Sequence, residues 1–271
     1  MNSDLTLMAV HAHPDDEVIS TGGVLAQCAD QGIRTVLVTC TNGEQGDGPG
    51  GVKPGDDGHH EAHVRERRLS ELRESVSALG IAHLELLGYR DSGMAGWSAN
   101  EHPDAFGNVP VDRAAARLAA LMERYRPDVV VTYDENGGYG HPDHIQAHRV
   151  ALAAAEATAI PRKFYFTAIP RARLTAMFQR MRSIAPDAGD WEVPPDFGTP
   201  DELITTVVDV SGYTERKRKA IQAHASQGDT VFLLRLPVEA QHEVMSQEAF
   251  TRHYSQVATS DPEDDLFAGL R

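Results

Sequence analysis

The sequence predicts an α/β protein with a mostly parallel, Rossmann-like sheet and helices on both faces. Short apolar runs at 5–10, 35–40, 84–87 and 128–133 alternate with helix-length segments, and the connections between them are short. The first two runs lack polar alternation, which is typical of strands buried on both faces. Repeated βα units of this kind form parallel sheets covered by helices.

The predicted helices before residue 130 end at a glycine or where their apolar pattern stops. Gly32 follows the first helical segment and Gly80 the second, and glycine commonly follows the last residue of a helix. The predicted helices are 17–31, 62–79 and 111–125. Between them lies a segment rich in Gly and Asp, 43–60, which predicts a mobile loop over the ligand crevice.

The pattern is less regular after about residue 160. The predicted strands there are 163–169 and 203–210, and the predicted helices are 171–184 and 213–227. Four prolines within 186–200 predict a loop, and the acidic last dozen residues predict a solvated tail. We expect one domain, 1–271, in which 1–160 is the core and 161–271 completes the cleft.

The composition limits the classes of partner. The 271 residues include 25 Lys and Arg against 40 Asp and Glu, a formal net charge of −15, and such acidity disfavours nucleic acid and anionic membranes. No apolar stretch approaches the ~20 residues that span a bilayer. The N-terminus lacks the basic and apolar regions of a signal peptide. We therefore expect a cytoplasmic protein without nucleic-acid or membrane partners, in which Cys28 and Cys40 are buried and unpaired.

Ligand-type side chains follow the first predicted strand. Ligands of parallel sheets bind beyond the carboxyl ends of the strands, and the first loop there reads His11-Ala12-His13-Pro14-Asp15-Asp16-Glu17. Imidazole and carboxylate are donors that Zn2+ and Fe2+ accept. At the start of a helix, Asp15 and Asp16 could instead be simple capping residues. The loop by itself leaves both interpretations open.

A second loop of this kind follows the strand at 128–133. It ends in Gly140-His141-Pro142-Asp143-His144. Two His-Pro-Asp loops at strand ends of one parallel sheet can meet in space, and together they can supply two histidines and one carboxylate with an open coordination position. That arrangement is typical of a catalytic zinc. His148, four residues after His144 on one helix face, is an alternative ligand.

These two loops carry a resemblance to a known family. The chain is similar to the PIG-L/LmbE family of metal-dependent de-N-acetylases. The family's first motif, A/P-H-P-D-D-E, matches residues 12–17, and its second, G-H-x-D-H, matches residues 140–144. Further segments resemble the branch of actinobacterial mycothiol-pathway deacetylases that act on N-acetylglucosaminyl-inositol. Those segments are 90–96, 133–140, 163–165 and 223–227.

The resemblance implies a cofactor and a base. His13, Asp16 and His144 would bind one Zn2+ per chain, with Fe2+ as the alternative metal. Asp15 would be the general base that takes a proton from the water that the metal activates. That water would then attack the carbonyl of an acetamido-sugar, the small-molecule partner that the family implies.

Three further residues are implied to assist the reaction. His141 and Tyr139 resemble the family residues that supply positive charge and a phenolic hydroxyl to the tetrahedral oxyanion. Asp143 would orient His141 or a metal ligand. The departing amine needs a proton, and both Asp15 and His141 are candidates to deliver it.

The resemblance also implies four substrate-binding residues. Arg68 and Asp91 match positions that contact sugar hydroxyls, and a guanidinium and a carboxylate can each make paired hydrogen bonds to a diol. Met94 lies in the same loop as Asp91. Asp47 stands where that branch carries a glutamate, which is one methylene longer. A surface helix charge and a loop cap are the structural alternatives for Arg68 and Asp91.

Side chains beside the motifs are expected to have structural roles. Glu17 is expected to orient the first loop, and His11 to be packed rather than to bind metal. His224 and Gln227, in the late helix, are expected to pack that helix against the crevice.

Four functions compete. A zinc-dependent deacetylase of an N-acetylglucosamine-containing small glycoside is favoured. An amidase of mycothiol conjugates is the second possibility. That branch resembles a form with a lysine shortly after the first motif, whereas this chain has Val18-Ile19-Ser20 there, which disfavours the amidase. A tailoring deacetylase of secondary metabolism is the third possibility. A metal-binding or sugar-binding protein without turnover is the fourth, and it does not explain why every expected catalytic residue is present. The oligomeric state cannot be read from the sequence.

Overall fold

The computed structural model describes residues 5–184 and 197–271. These residues form a seven-stranded sheet with helices packed against it. The strands are β1 (Thr6–His11), β2 (Arg34–Thr41), β3 (His83–Tyr89), β4 (Val129–Thr132), β5 (Lys163–Ala168), β6 (Thr206–Asp209) and β7 (Gln247–Ser255). Their order is β3-β2-β1-β4-β5-β7-β6. Strands β1 to β5 are parallel, and β7 runs antiparallel to both β5 and β6. The prediction of a mostly parallel sheet is confirmed.

Helices cover both faces of the sheet, as predicted. They are α1 (Asp16–Ser20), α2 (Gly22–Asp30), α3 (Glu61–Leu79), α4 (Val111–Tyr125), α5 (Gly137–Gly140), α6 (Pro142–Thr158), α7 (Arg171–Ile184), α8 (Thr214–Ala223) and α9 (Val238–Met245). Alternate residues of β1 face opposite ways. Leu7 packs in the cluster that contains Leu72 of α3, and Met8 packs in the cluster that contains Leu118 of α4. The central strands therefore carry apolar residues on both faces.

Several predicted element bounds differ from the structure. The helix predicted at 17–31 is two helices, α1 and α2, with Thr21 between them in a non-helical conformation. The helix predicted at 213–227 ends at Ala223. No predicted strand corresponds to β7, the antiparallel strand that extends the sheet beyond β5.

The prediction of a solvated C-terminal tail is wrong. Leu266 and Phe267 are buried against the core, and the Glu263 carboxylate is 2.6 Å from Nζ of Lys163. The backbone of Glu263 also pairs with β6, because its N–H donates to the carbonyl of Thr205. The acidic segment 261–265 therefore supplies a buried carboxylate that pairs with Lys163, and its backbone covers the edge of the sheet at β6.

Other expectations are met or fall outside the described residues. Cys28 and Cys40 are both buried free thiols, as predicted. The loop predicted at 186–200 lies mostly outside the described residues. The segment 43–60 contains only a short 3₁₀ turn, Pro49–Gly51, and its mobility stays a prediction. Among the described residues, no helix is both long and apolar enough to cross a membrane.

Candidate metal centre and active site

The carboxyl ends of β1, β3 and β4 bring the two His-Pro-Asp loops together. The first loop follows β1 and begins α1 at Asp16, and the second loop begins α6, with Pro142 in its first turn. Ligand atoms of His13, His141 and His144 lie within 4.8 Å of one another, and so do those of a second set, His13, Asp91, His141 and Asp143. The described residues thus contain a possible metal site of His and Asp side chains.

Hydrogen bonds set the tautomers of two histidines. His144 Nδ1 lies 3.1 Å from the carbonyl oxygen of Gly137, so this nitrogen carries a hydrogen and donates it. His13 Nε2 lies 3.1 Å from Asp143 Oδ2 and 3.6 Å from Asp91 Oδ1, so it donates to carboxylates. When each ring is neutral, its other nitrogen, Nδ1 of His13 or Nε2 of His144, carries no hydrogen and is available to a metal.

These two nitrogens and the Asp16 carboxylate form a triangle that fits a metal. His13 Nδ1 is 3.2 Å from His144 Nε2 and 3.3 Å from Asp16 Oδ2, and His144 Nε2 is 3.4 Å from Asp16 Oδ1. Tetrahedral zinc with bonds of about 2.0–2.1 Å places its ligand atoms about 3.3 Å apart. The structure therefore brings the three predicted ligands to the separation that such an ion requires.

Asp15 stands beside this triangle in a strained backbone conformation. Its φ is 125°, a value that side-chain-bearing residues rarely adopt. Its Oδ2 accepts a hydrogen bond of 2.6 Å from Thr230, and its Oδ1 lies 3.1 Å from Nη2 of Arg68. Burial raises the pKa of Asp15, although the nearby Arg68 charge opposes the shift.

Asp143 and Asp91 lie behind His13, on its Nε2 side. Asp143 accepts hydrogen bonds from both the backbone N–H and the hydroxyl of Ser92. Asp91 accepts from Gly93 N at 2.8 Å. Although burial opposes it, the surrounding carboxylates, Asp91 foremost, raise the pKa of His13. The two carboxylates therefore hold the His13 ring with its Nδ1 toward the triangle.

His141 and Tyr139 face the same cluster from the second loop. The His141 ring centroid is 4.5 Å from that of His13, and its Nδ1 accepts the N–H of Asp143 at 3.1 Å, which leaves Nε2 as the donor. Burial, together with the neighbouring His13, lowers the pKa of His141 to about 2. A lowered pKa favours the neutral ring, and the positive charge that the resemblance implies for His141 stays a prediction. The Tyr139 ring, half exposed, lies 5.0 Å from that of His144.

The residues predicted to bind substrate lie around the cluster. Arg68 is only 4% exposed, and its two Nη atoms donate to the carbonyls of Gly43 and Pro14. Asp47 is farther out, with its carboxylate 2.7 Å from Lys53 Nζ. Met94 is half-buried in the loop after β3. Arg68 and Asp91 thus lie next to Asp15 and His13, respectively. Their contacts with a sugar stay predictions.

Two other histidines of the region have structural partners. His11 is buried, with Nε2 2.8 Å from Thr21 Oγ1 and Nδ1 3.3 Å from the Tyr133 hydroxyl, as expected of a packed histidine. His148, the alternative ligand, places Nδ1 2.9 Å from the carbonyl of Tyr133 and its ring against Phe166. Neither is in a cluster of potential metal ligands among the described residues.

Sequence reasoning missed three residues that touch the site. The Tyr133 hydroxyl donates to Asp16 Oδ2 at 2.7 Å, Ser92 binds Asp143, and Thr230 binds Asp15. Tyr133 directly follows β4, at the carboxyl end of a parallel strand where ligands bind, and that position could have identified it. Thr230 follows a helix in the C-terminal part, and no local pattern marks it.

This fold and site match one protein family. Residues 8–155 match the model of the PIG-L family, described as GlcNAc-PI de-N-acetylase. The match spans more than half of the chain and includes both His-Pro-Asp motifs. The chain belongs to the PIG-L family, as its resemblance to that family implied.

Several named relatives match the chain over nearly its whole length. A protein of Thermobifida fusca is 42% identical over 98% of this chain and 100% of its own, and one of Acidothermus cellulolyticus is 42% identical over 98% and 95%. A Catenulispora acidiphila protein is 41% identical over 97% of this chain and 89% of its own. All three are named as deacetylases of 1D-myo-inositol 2-acetamido-2-deoxy-α-D-glucopyranoside, so they are enzymes that hydrolyse an amide bond.

Solved structures share the fold at lower identity. The N,N'-diacetylchitobiose deacetylase of Pyrococcus horikoshii aligns with a TM-score of 0.59 at 21% identity, over 91% of this chain and 83% of its own. GalB of Pseudomonas putida, a 4-carboxy-2-hydroxymuconate hydratase, aligns with a TM-score of 0.60 at 21% identity, over 94% and 99%. Because a hydratase and a deacetylase share it, the fold alone does not define the reaction.

Proposed function

We propose that this protein is a metal-dependent hydrolase that removes the acetyl group from the N-acetylglucosamine unit of a glucosaminyl-inositol glycoside. The observation that carries the proposal is the convergence of His13, Asp16 and His144, with the Asp15 carboxylate beside them. Relatives that are 41–42% identical over nearly the whole chain bear the name of this activity. The proposed substrate is a small molecule, and a cytoplasmic location stays a prediction.

His13 Nδ1, His144 Nε2 and an Asp16 oxygen are the proposed ligands of one Zn2+ ion. Two histidines and a carboxylate also suit Fe2+. A metal held there would supply a Lewis acid that lowers the pKa of water and polarises the acetamide carbonyl. The second set of possible ligands, at the Nε2 side of His13, includes Asp91, His141 and Asp143. It is less suited to hold the ion, because Ser92 already donates two hydrogen bonds to Asp143.

Asp15 is the proposed general base. It takes a proton from the attacking water, whose oxygen bonds to the acetamide carbon. Burial raises the pKa of Asp15, which makes its carboxylate a stronger base than a solvated one. When the carbon–nitrogen bond breaks, the amine takes up a proton and acetate leaves. Asp15 and His141 are both candidates to return that proton.

His141 and Tyr139 are proposed to stabilise the oxyanion. The Asp143 N–H occupies His141 Nδ1, so the Nε2–H is the free donor of this ring. The Tyr139 hydroxyl is the second proposed donor, and the Tyr139 ring lies 5.0 Å from that of His144. Donors already fixed in position stabilise developing charge without reorganisation during the reaction. Asp143 holds both His13 and the loop of Ser92, which makes it a positioning residue.

Four side chains are proposed to recognise the sugar. Asp91 and Arg68 lie nearest to His13 and Asp15, so they are expected at the hydroxyls next to the acetamide. Met94 lies in the same loop as Asp91, and Asp47 lies in the loop after β2. Lys53 Nζ lies 2.7 Å from Asp47 Oδ1, and the carboxylate keeps lone pairs that could accept from a hydroxyl.

The test is acetate release by zinc-reconstituted protein. N-acetylglucosaminyl-inositol, plain N-acetylglucosamine and a mycothiol conjugate are compared, and we expect the fastest release from the inositol glycoside. Asp15→Asn is expected to lower kcat by about 100- to 10,000-fold while the metal stays bound. Asp112→Asn, at an exposed aspartate in the first turn of α4, is the matched control and should leave kcat unchanged.

Each part of the proposal can fail separately. Release from none of the three compounds, by protein that binds one metal per chain, would contradict the proposed substrate. Full activity of Asp15→Asn would contradict the role of Asp15. Faster cleavage of the mycothiol conjugate than of the glycoside would favour the amidase.

A further inference from the structure

The backbone of Asp15 needs outside support. An L-residue at a φ of 125° is held in an unfavourable conformation, which persists only where surrounding contacts over-determine it. Asp16, the next residue, has no such strain, because it is the first residue of helix α1. The position of the proposed base therefore depends on what holds Asp15.

Three contacts from three parts of the chain hold it. The Asp15 N–H donates to Glu17 Oε2 at 3.0 Å. Arg68 Nη2, from α3, lies 3.1 Å from Asp15 Oδ1. Thr230 Oγ1 donates to Asp15 Oδ2 at 2.6 Å, and it is the shortest of the three contacts. Each carboxylate oxygen thus has one donor from the protein and keeps lone pairs for a further proton.

Thr230 ends a segment that is anchored along its length. In residues 224–230, His224 Nε2 lies 2.7 Å from Glu17 Oε1, and Ser226 Oγ donates to Glu71 Oε2 at 2.6 Å. Gln227 binds the backbone of Asp47 twice, because its Oε1 accepts the N–H of Asp47 and its Nε2 donates to the carbonyl. These contacts reach α1, α3 and the loop after β2.

The segment lies outside the part of the chain that matches the family model, 8–155. Its anchors fix the Thr230 backbone relative to both the first loop and α3. A hydroxyl on a fixed backbone can set the plane of a carboxylate, whereas Arg68 is also committed to the carbonyls of Pro14 and Gly43. Glu17 also has other partners, Ser75 and His224. Among the described hydrogen bonds, the Thr230 hydroxyl donates to Asp15 alone.

We propose that Thr230 is a positioning residue for the general base: its hydroxyl holds the Asp15 carboxylate in the plane from which it accepts the proton of the attacking water. The inference rests on the proposed function of Asp15. It extends the catalytic machinery into the C-terminal part of the chain. Because Thr230 contacts the base, it acts on the chemical step rather than on substrate or metal binding.

The test compares Thr230→Val, which removes the hydroxyl at nearly constant volume, with Thr230→Ser, which restores it. For Thr230→Val we expect kcat to fall about tenfold, KM to stay within about twofold and one metal per chain to remain. Thr230→Ser should recover kcat to within about threefold of the original. Thr158→Val, which removes a hydroxyl bonded to Ala154 within α6, is the matched control. If Thr230→Val does not fold, Thr230→Ala carries the same expectation.

A measurement that needs no substrate separates this inference from the proposed function. Crystal structures of the zinc-bound variants should show the Asp15 carboxylate rotated in Thr230→Val and restored in Thr230→Ser. An unchanged carboxylate, a kcat of Thr230→Val within twofold of the original, or loss of metal in place of turnover would each overturn the inference. If the original protein releases no acetate from the inositol glycoside, the proposed substrate fails, and the carboxylate orientation still decides the role of Thr230.

Discussion

His224 Nε2 lies 2.7 Å from Glu17 Oε1, and both side chains are fully buried. Glu17 ends the first motif, and His224 directly follows α8, so this contact joins residues that are 207 positions apart in the chain. The same Glu17 carboxylate accepts the Ser75 hydroxyl and the N–H of Asp15. A buried carboxylate needs such partners, because it has lost its water. The expectation that Glu17 orients the first loop is confirmed.

Removing His224 should therefore destabilise the protein. His224→Ala leaves the Glu17 carboxylate buried without its main partner, and we expect the free energy of unfolding to fall by about 3 kcal/mol. Urea denaturation measures it. His242→Ala, at an exposed histidine of α9, should change the free energy by less than about 0.5 kcal/mol. Equal effects of the two substitutions would show that the contact contributes nothing.

The proposed ligand set predicts which histidine of α6 binds the metal. His144 offers Nε2 to the triangle, whereas His148 Nδ1 is held by the Tyr133 carbonyl. We expect His144→Ala to lose the bound metal and His148→Ala to retain one ion per chain. Metal analysis after gel filtration, with circular dichroism as the check on folding, measures this. Retention of metal by His144→Ala would exclude the proposed ligand set.

The buried Lys163–Glu263 pair predicts how stability depends on pH. Burial favours the protonated acid, but the hydrogen bonds from Lys163 and Tyr165 prevail and lower the pKa of Glu263. A carboxyl whose folded pKa lies below its unfolded value stabilises the fold above the unfolded pKa. That contribution is lost as the pH falls from the unfolded pKa, near 4.5, through the lowered folded value.

Glu263→Gln tests this linkage. The difference in free energy of unfolding between the original protein and Glu263→Gln should be constant near neutral pH and shrink below about pH 4.5. Urea denaturation over a series of pH values gives the two curves. Glu202→Gln, at an exposed glutamate, should follow the original protein throughout. A difference that grows as the pH falls would have the wrong sign for this mechanism.

A glycine of α2 predicts a steric limit. A Cβ added at Gly23 would lie 2.6 Å from Cβ of Val210 and 2.5 Å from its Cγ2, too close for packed carbon atoms. We expect Gly23→Ala to destabilise the protein by about 1–3 kcal/mol, despite the better helix propensity of alanine. Gly212→Ala, where no heavy atom lies within 4 Å, is the control. Thermal unfolding compares the two, and an unchanged melting temperature of Gly23→Ala would refute the clash.

The parallel part of the fold and its motif loops could be predicted from local sequence. β1 and β2 are buried on both faces, so their apolar runs identify them without knowledge of their neighbours. The carboxyl ends of parallel strands share one edge of the sheet, so two His-Pro-Asp loops after β1 and β4 had to approach each other. The division of the chain into a core and a C-terminal part stays a prediction.

The antiparallel part could not be predicted in this way. β7 begins Gln247-Glu248-Ala249-Phe250-Thr251-Arg252, and its strand conformation comes from pairing with β5 and β6 on either side. Glu248 is a buried residue of this strand because Lys217 of α8 neutralises it at 2.6 Å. A charged residue in a core is identified only when its partner is known, and that partner is distant in sequence.

The sequence by itself determined the chemical groups of the site, because metal ligation and proton transfer require particular side chains, and His13, Asp15, Asp16 and His144 occur within two short loops. Only the tertiary structure decided what supports them. The strained backbone of Asp15, and the contacts that Thr230 and His224 make from the C-terminal part, depend on packing between elements about two hundred residues apart. Such contacts leave no local pattern, since any of several residues could satisfy a buried donor or acceptor once the fold has brought it there.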